Sequence, residues 1–578
     1  MAFSRHAPTA KMATATDSTV PKNIRWTVAV TVESLLLVAS LFWALTANTA
    51  FFGAALSDRS LAQSATWGFA LALGLMLLSL HFLLLGLVCN RWTVKPVLVM
   101  LVIGTAVATH FMQSFGVYLD PSMLRNAMRT DVAEARELWT WRLLPHLLVY
   151  AMLPLLMLWR VRVVHRPWLR ATAVRAGALL LSLVVFVGVL LLVFQPFSSL
   201  MRNHKEVRYL ATPANYVWSL AAVAQAQAKG VAQPRQPIGL DATPGPRMLS
   251  RTKPLLVVLV VGETARAANW GLNGYARQTT PELARLPVIN FPDVTACGTN
   301  TEVSLPCMFA PEGRRDYDEA RIRGSQSLLH LLARAGVNAH WRDNQSGCKG
   351  VCDGLSQDDV VSLNPPGLCR DGHCLDEGLL SGLDDRLARM KGMKGMQGMQ
   401  DMNGVSGTGF LVLHQLGNHG PSYFRRYPPA FARFGPACQN DDLRQCSRDE
   451  IVNAYDNALL YTDHVLASLI AKLQAHASDV DSAMLYVSDH GESLGENNLY
   501  LHGLPFAIAP DAQRRVPMVA WFSPGAPTQL GTDVACLQRR ATQPLSHDHL
   551  FHTLLNWLDV KTALYQPAWD LARDCRTP

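Results

Sequence analysis

The sequence predicts an α-helical membrane domain with five transmembrane helices, followed by an α/β domain with a mainly parallel sheet. Three observations lead to this fold class. The chain has 578 residues, 49% of them hydrophobic, and the apolar residues are concentrated before about residue 195. Buried strands alternate with helical stretches after about residue 252. Ten of the 11 cysteines lie in that second part of the chain.

Five apolar windows in the first part have the length of membrane spans. Each is roughly 17–23 residues long, which suits a bilayer core of about 30 Å. The first window is not a cleaved signal peptide, because its apolar core is too long and four more spans follow. The windows are 27–47, 66–88, 96–112, 143–159 and 176–194. We therefore expect a cytoplasmic N-terminal segment (1–26), a transmembrane domain (27–195), a bridging helix and linker (196–251) and a soluble domain (252–578).

Lys and Arg residues predict the orientation of these spans. They cluster before the first span, between the second and third, and between the fourth and fifth: Arg5, Lys11, Lys22, Arg25, Arg91, Lys95, Arg160, Arg162, Arg166, Arg170 and Arg175. Under the positive-inside rule, these three segments face the cytoplasm. Five spans then place everything after residue 195 on the opposite side of the membrane.

Cysteine usage agrees with that orientation, because an even set in an oxidising compartment predicts disulfide bonds. Close neighbours along the chain suggest four pairs, which leaves a fifth: Cys297–Cys307, Cys348–Cys352, Cys369–Cys374, Cys438–Cys446 and Cys536–Cys575. Half of a zinc ribbon is an alternative for Cys348 and Cys352, although no second matched pair follows at the usual distance. The eleventh cysteine, Cys89, lies at the cytoplasmic end of the second span.

The net charge of +8 suits a protein that works beside anionic lipid head groups. Nucleic acid is not an expected partner, because the basic residues are not arrayed with aromatic residues in a groove-like pattern.

The second part of the chain contains four apolar runs that predict buried strands: Leu255–Val261, Gly409–Leu413, Ala483–Val487 and Val516–Phe522. Helical stretches lie between them, such as Ser327–Ala335 and Asp449–Gln474. This alternation predicts a mainly parallel sheet covered by helices.

Two further segments carry recognisable patterns. Within Pro213–Ala228, four apolar residues recur at helical spacing and predict a helix along the membrane surface: Tyr216, Val217, Leu220 and Val223. A Met-Gly repeat at 390–409 is expected to be a surface insertion, with a methionine-rich copper site as the alternative.

Polar residues follow the ends of these strands. Asp489 and His490 come directly after one strand, and Glu263 follows another. The carboxyl ends of parallel strands share one edge of a sheet, so these three side chains can converge. Two carboxylates and one imidazole suit a catalytic zinc with an open fourth position. The alternatives are an ordinary polar turn after the strand and a helix cap by Glu263.

A hydroxyl can complete this set. Thr301 ends the run Cys297–Thr301 before a probable helix, and a hydroxyl at a helix N-terminus suits a phosphate. Metal binding would make such a hydroxyl a better nucleophile. The alternative is a capping turn with Thr299 or Thr301 as N-cap.

Three other polar side chains are candidates for contact with a phosphate. His419 lies just past a predicted strand, and with His502 it could bind a second zinc or a phosphate. Lys349, between Cys348 and Cys352, could neutralise phosphate oxygens. The alternatives are packing or solvent-facing histidines and a surface lysine.

Seven motifs now carry a resemblance to a known family. They are VGET around Glu263, CGTNT ending at Thr301, WRDNQSGCKG (341–350), HQLGNHGP (414–421), NAYDNALLYTD (453–463), SDHGESLGEN (488–497) and YLHG (500–503). The chain resembles the phosphoethanolamine transferases that modify lipid A, including the mobile colistin-resistance enzymes. This resemblance implies an alkaline-phosphatase-like domain in the periplasm, anchored in the inner membrane.

The resemblance also implies roles for individual residues. Glu263, Thr301, Asp489 and His490 look like the zinc ligands, with Thr301 the residue that becomes phosphoethanolamine-modified. His419, His502 and Lys349 match residues that handle the phosphate. The resemblance further implies that Gln345, which stands where the family has asparagine, and Ser346 contact the substrate. It implies the same for the periplasmic segment 115–138. In that segment Asn126, Thr130 and Glu134 recur at four-residue spacing, which predicts that they lie on one face of a helix.

The resemblance therefore implies a two-step transfer by a monomer. Phosphatidylethanolamine is the expected donor, lipid A the expected acceptor, and Zn²⁺ the cofactor, with one firmly bound ion and room for a second. Three alternatives stay open: another acceptor such as a core sugar or a surface protein, a related polyglycerolphosphate synthase, and a membrane sensor with a degenerate domain. A sulfatase is not expected, because the sequence has no Cys-x-Pro-x-Arg run.

Overall fold

The computed structural model describes residues 27–130, 132–232, 234–370, 372–391 and 407–576. The predicted N-terminal segment 1–26 and most of the Met-Gly repeat lie outside the described residues.

Within the described residues, four helices are long and apolar enough to cross a membrane: Ser64–Val88, Val94–Phe115, Leu143–Arg160 and Trp168–Leu192. A fifth candidate span consists of Val32–Thr46 and Thr49–Ala55, bent by 55° at the break between them. Buried Asn48 lies at this break, where its amide donates to the carbonyl oxygens of Trp43 and Thr212, both at 2.8 Å. Within the described residues, four predicted spans are therefore present, and the bent pair makes a fifth if its two helices cross the membrane as one span.

The first span also begins later than predicted. Residues Val28–Val30 form a short strand that pairs in parallel with Val161–Val163. The helix starts at Val32, after Thr31 accepts a hydrogen bond from the Ser34 backbone N–H. This pairing brings the chain before the first span beside the loop after the fourth, which agrees with the prediction that both face the same side.

The predicted helix on the membrane surface exists as Ala214–Ala232. Two of its four apolar residues are buried in the protein, because Tyr216 and Val223 pack inward while Val217 and Leu220 stay exposed. The Tyr216 hydroxyl lies 3.1 Å from Thr105 Oγ1 and donates to the Leu101 carbonyl at 3.2 Å. This helix is therefore anchored to the span Val94–Phe115 as well as facing outward.

The soluble domain is built on an eight-stranded sheet. In spatial order its strands are Leu545–Ser546, Ile289–Thr295, Arg515–Phe522, Asp481–Ser488, Leu255–Gly262, Thr408–His414, Asn338–Asp343 and Ser356–Asp359. Arg515–Phe522 runs antiparallel to both of its neighbours, and the other pairs are parallel. The predicted mainly parallel sheet is confirmed.

Both faces of this sheet are covered, which explains why its central strands are continuously apolar. Along Leu255–Gly262, alternate residues enter two different hydrophobic clusters, with Leu255 and Val257 in one and Leu256 and Val258 in the other.

The long helix Arg448–Ala475 begins with a capping box between Ser447 and Glu450.

The ten cysteines of the soluble domain form the five predicted disulfide bonds: Cys297–Cys307, Cys348–Cys352, Cys369–Cys374, Cys438–Cys446 and Cys536–Cys575. Cys348 and Cys352 are therefore not a zinc-ribbon pair. Cys89 is a buried free thiol.

An ion pair at the edge of the sheet makes the stability of this domain pH-dependent. Asp358 accepts hydrogen bonds from Nε and Nη2 of Arg342, each at 2.8 Å. Burial alone would raise the pKa of Asp358, but Arg342 and His340 lower it well below its ordinary value. A carboxyl with a lowered pKa in the fold stabilises the protein above its unfolded-state pKa of about 4, and this contribution is lost as the pH falls.

We therefore expect Asp358→Asn to lower the free energy of unfolding by about 1–2 kcal/mol at neutral pH. The difference from the unchanged protein should shrink as the pH falls from about 5 to about 2, because the Asp358 carboxyl of the unfolded chain becomes protonated over this range and folding then has to release that proton. Melting of the detergent-solubilised protein over this pH range is the measurement. A difference that does not change with pH would contradict the assignment.

Candidate active site

Three predicted ligands meet where two neighbouring strands end. Asp481–Ser488 pairs in parallel with Leu255–Gly262, and the register sets Ser488 opposite Gly262. The residues that follow, Glu263 and Asp489, therefore leave the sheet side by side. His490 Nε2 lies 3.3 Å from Glu263 Oε1 and 3.4 Å from Asp489 Oδ2.

Thr301 is brought to the same point by a different segment. It is the first residue of the helix Thr301–Met308, whose N-cap is Asn300. Thr301 Oγ1 donates to Glu263 Oε2 at 3.0 Å and lies 3.3 Å from His490 Nε2. The structure thus brings all four predicted ligands together in a buried cluster.

The surroundings of this cluster hold it in place. The Cys297–Cys307 disulfide joins the turn before the Thr301 helix to that helix. Gly417, with φ of 53°, packs so closely on Glu263 that a Cβ there would lie 2.7 Å from the Glu263 carbonyl oxygen. Only glycine allows this approach.

The donor set fits a metal ion. His490 Nδ1 lies 2.9 Å from the Gly491 carbonyl, so that its Nε2 faces the two carboxylates. Glu263 Oε1 and Asp489 Oδ2 are buried and make no hydrogen bond within the described residues. Buried carboxylate oxygens of this kind are costly unless a cation neutralises them. Two carboxylates, one imidazole and a hydroxyl suit zinc.

The electrostatics of the cluster agree with this. Burial would raise the pKa of Glu263, but His490 lowers it well below its ordinary value. Burial and the Glu263 carboxylate raise the pKa of Asp489 to about 7. Burial would lower the pKa of His490, yet Asp489 and Glu263 raise it to about 10. The two carboxylates therefore favour a positive charge beside them. In the protein without metal this charge is the extra proton on His490, and a bound metal ion can supply it instead.

His419 and His502 lie next to this cluster. The ring centroids of His490 and His502 are 4.4 Å apart, and those of His419 and His502 are 5.4 Å apart. Ligand atoms of Glu263, His490 and His502 all lie within 4.8 Å of one another, so His502 can also reach a metal. Burial lowers the pKa of His502 and favours the neutral imidazole that binds metals.

Sequence reasoning missed the partner of His502. Glu492 Oε2 lies 2.9 Å from His502 Nδ1, and Glu492 Oε1 accepts a hydrogen bond from the Tyr423 hydroxyl at 2.8 Å. Glu492 is buried, two residues after His490. The signal was present in the run SDHGE, where a second acidic residue, Glu492, follows the predicted ligands Asp489 and His490.

The loop with Gln345, Ser346 and Lys349 contacts the cluster through Gln345. Gln345 Nε2 donates to Glu263 Oε2 at 3.3 Å, so the longer amide reaches a predicted ligand. Gln345 Oε1 accepts from the Ser346 backbone N–H at 2.6 Å. Lys349 Nζ donates to the Ser346 carbonyl at 3.0 Å. The Cys348–Cys352 disulfide closes this loop around Lys349.

The prediction of one continuous helix face through Asn126, Thr130 and Glu134 is wrong. The helix Pro121–Arg129 ends at Thr130, whose ψ of 131° is extended, and a second helix covers Val132–Glu137. Thr130 instead donates from N and Oγ1 to the Asn126 carbonyl, each at 2.9 Å. The Glu134 side chain lies outside the described part of the structure.

These two juxtamembrane helices, Pro121–Arg129 and Val132–Glu137, are joined to the active site by ion pairs that sequence reasoning missed. Arg129 donates to Glu302, the buried neighbour of Thr301, at 2.8 Å. Glu137 pairs with Arg426, and both side chains are almost completely buried. The other end of Arg426 donates from Nε to the His419 carbonyl at 2.8 Å.

The soluble domain has a mainly parallel sheet that is covered on both faces. Carboxylate and imidazole groups follow two of its strands, and the hydroxyl of Thr301 meets them from the start of a helix. This combination defines an enzyme of the alkaline phosphatase and sulfatase class, here attached to a membrane domain. Residues 256–560 match the sulfatase family model, and residues 77–228 match the model described as phosphoethanolamine transferase EptA/EptB. The chain belongs to this family of phosphoethanolamine transferases.

Individual relatives agree over nearly the whole chain. Phosphoethanolamine transferase EptA of Salmonella typhimurium is 36% identical over 94% of this chain and 96% of its own length. Phosphatidylethanolamine transferase Mcr-1 of Escherichia coli is 38% identical over 92% and 95%. The integral membrane EptA of Neisseria meningitidis, a lipooligosaccharide phosphoethanolamine transferase, superimposes with a TM-score of 0.87 at 35% identity, covering 95% of this chain and all of that one. This chain is accordingly a membrane protein.

Proposed function

We propose that this phosphoethanolamine transferase moves the group from phosphatidylethanolamine to a lipid A phosphate through a covalent intermediate on Thr301. The observation that carries the proposal is the buried Thr301 hydroxyl, 3.0 Å from Glu263 Oε2 and 3.3 Å from His490 Nε2. Relatives named as transferases acting on Kdo(2)-lipid A are 27–28% identical to this chain and make lipid A a reasonable acceptor.

In the first step, Thr301 Oγ1 attacks the phosphorus of the donor. The bond from phosphorus to the Thr301 oxygen forms, and the bond from phosphorus to the diacylglycerol oxygen breaks. Glu263 Oε2 accepts the hydrogen bond of the Thr301 hydroxyl and directs its proton away from the attacking lone pair. The proton lost by Thr301 passes through His419 or His502 to the departing diacylglycerol oxygen, so that the step as a whole releases no proton.

In the second step, an oxygen of the lipid A phosphate attacks the modified threonine. The new bond to phosphorus forms as the bond to Thr301 Oγ1 breaks, and the proton of the attacking phosphate hydroxyl passes through the same histidines to Thr301 Oγ1. Lys349 neutralises charge on the phosphate oxygens, and Gln345 and Ser346 orient the group. Both lipids lie in the outer leaflet of the inner membrane, so the membrane domain holds the periplasmic catalytic domain beside them.

The test uses proteoliposomes that contain phosphatidylethanolamine and lipid A. We expect lipid A to gain the mass of one phosphoethanolamine group and diacylglycerol to accumulate, both followed by mass spectrometry. A gain on core sugar or on protein with unmodified lipid A would favour the alternative acceptors. Release of no diacylglycerol would favour a membrane sensor.

We further propose that Glu263, Thr301, Asp489 and His490 would hold one Zn²⁺, which would supply Lewis-acid chemistry by lowering the pKa of a bound hydroxyl. His419 and His502 could share a second ion. The buried oxygens Glu263 Oε1 and Asp489 Oδ2, which accept no hydrogen bond within the described residues, support this assignment.

Metal analysis tests the zinc proposal. We expect one firmly bound zinc per chain after dialysis, and Asp489→Asn should lower the affinity at least about tenfold, because it removes a ligand. Asp358→Asn is the matched control, since it makes the same change from carboxylate to amide on the outermost strand of the sheet, in a residue that is not one of the proposed ligands. Equal zinc contents in the two variants would contradict the ligand assignment.

Such a reaction would alter the cell surface. Each added amine offsets a phosphate charge on lipid A and weakens its attraction for cationic peptides. We therefore propose that the protein confers polymyxin resistance.

A further inference from the structure

A cavity of about 430 Å³ lies between the membrane domain and the bridging segment. Its walls come from the spans Ser64–Val88 and Trp168–Leu192, and from the helices Phe194–Asn203 and Ala214–Ala232. Ligand pockets have volumes of roughly 300–1,000 Å³, so this cavity has room for part of a ligand.

The lining of the cavity selects an apolar ligand. Leu73, Leu77, Phe186, Phe197 and Met201 are among its wall residues. An apolar cavity does not hold water, because water needs polar partners there. The same spans stand in lipid, so an acyl chain is the apolar group at hand.

The wall of the cavity also carries a cation that reaches the protein surface. Arg208 lines it and is exposed. The guanidinium lies 4.7 Å from the centre of the Tyr209 ring and donates to the Tyr209 hydroxyl at 2.9 Å, which holds it in place. An arginine presented in this way suits a phosphate. The predicted orientation puts Arg208 at the external surface of the membrane, where lipid phosphates lie.

We propose that this cavity binds a membrane glycerophospholipid, with one acyl chain between the two spans and its phosphate at Arg208. None of the proposed catalytic residues lines this cavity, so the site is separate from the Thr301 cluster. The lipid bound there is distinct from the donor lipid that reacts at Thr301. The existence of the site does not depend on the proposed transfer reaction.

The cavity is also connected to the catalytic domain. The Tyr209 carbonyl accepts a hydrogen bond from Leu119 N at 3.3 Å, directly before the juxtamembrane helix Pro121–Arg129. In that helix, Met123 packs on Gly503, the neighbour of His502, where a Cβ would lie 3.4 Å from the Met123 sulfur. A lipid in the cavity would therefore stabilise the segment that contacts the active site.

The experiment measures bound lipid on the full-length protein by native mass spectrometry. Detergent-purified protein is mixed with vesicles of phosphatidylethanolamine, of phosphatidylglycerol or of lipid A and isolated again. We expect both glycerophospholipids to be retained. Leu77→Trp should remove this binding, because the larger side chain fills the cavity. Leu71→Trp on the same helix is the control, since Leu71 is 67% exposed and does not line the cavity.

A second pair of variants tests the phosphate contact. Arg208→Gln should lower retention of both glycerophospholipids about tenfold, the effect of losing one charge-assisted hydrogen bond. Arg202→Gln is its control on the same segment. Ala214 also lines the cavity, so Ala214→Leu should likewise remove lipid binding by filling it. This variant replaces Leu77→Trp in the test if Leu77→Trp does not fold.

Three outcomes would overturn the proposal: equal retention by Leu77→Trp and Leu71→Trp where both fold, unchanged retention in Arg208→Gln, or retention of lipid A alone. A lack of transfer activity with normal retention would count against the proposed function and leave the lipid site intact.

Discussion

Thr301→Val is expected to abolish phosphoethanolamine transfer, with a loss of at least about 10³-fold in kcat/KM, because valine has the shape of threonine but no nucleophilic oxygen. Thr301→Ser should keep measurable activity, since it retains the hydroxyl. Thr301 Oγ1 is buried against Glu263 and His490, so no solvent molecule can take over its position without rearrangement.

The covalent step is tested separately with donor alone. Intact-protein mass spectrometry should detect one phosphoethanolamine adduct, and peptide mapping should locate it on Thr301. Thr301→Ser should carry the same adduct and Thr301→Val none. An adduct on the valine variant would show that another residue is the nucleophile. Equal melting temperatures of the variants would confirm that the loss is chemical.

Arg426→Gln is expected to cause the second large effect. It removes the arginine that pairs with Glu137 in a site where both side chains are almost completely buried, and leaves only His373 Nε2, at 3.8 Å from Glu137 Oε1, beside that carboxylate. Breaking such a pair costs about 3–5 kcal/mol. Transfer should fall with stability, because the same arginine donates to the His419 carbonyl and so positions that histidine.

The neighbouring arginine provides the control. Arg425 pairs with Asp441 at 2.9 Å on the surface, so Arg425→Gln should cost no more than about 1 kcal/mol. The double variant Glu137→Gln with Arg426→Gln should recover part of the lost stability, because no charge is left unpaired. Melting of the purified protein measures both effects. Equal melting of the Arg425 and Arg426 single variants would contradict the assigned role of the buried pair.

The soluble fold was largely predictable because its signals are local. Apolar runs such as Leu255–Val261 mark strands that are buried on both faces. The convergence of Glu263 and Asp489 follows from the rule that parallel strands end at one edge, and the register of their strands confirms it. The five disulfides were predictable because four of the pairs are close neighbours in the sequence.

Predictions failed where a local pattern competed with tertiary contacts. The four-residue spacing predicted one helix through Thr130, but the backbone at Thr130 is extended and divides the segment into two helices. The first helix contacts the active site through Arg129 and Glu302, and the second through Glu137 and Arg426. The four apolar residues of Ala214–Ala232 predicted a helix along the membrane surface, and the helix is present, but Tyr216 packs against the span Val94–Phe115 and Val223 is also buried in the protein.

By itself, the sequence determined the division into membrane and soluble domains, the strands of the sheet and the residue types at their ends. These follow from hydrophobic periodicity and chain connectivity, which act over a few residues. Only the tertiary structure decided which polar groups pair across the domain boundary. Glu137 and Arg426 are 289 positions apart, and Arg129 and Glu302 are 173 apart. No local pattern encodes such pairs, because their partners meet only when the two domains pack together, and in each pair the carboxylate is then buried away from water.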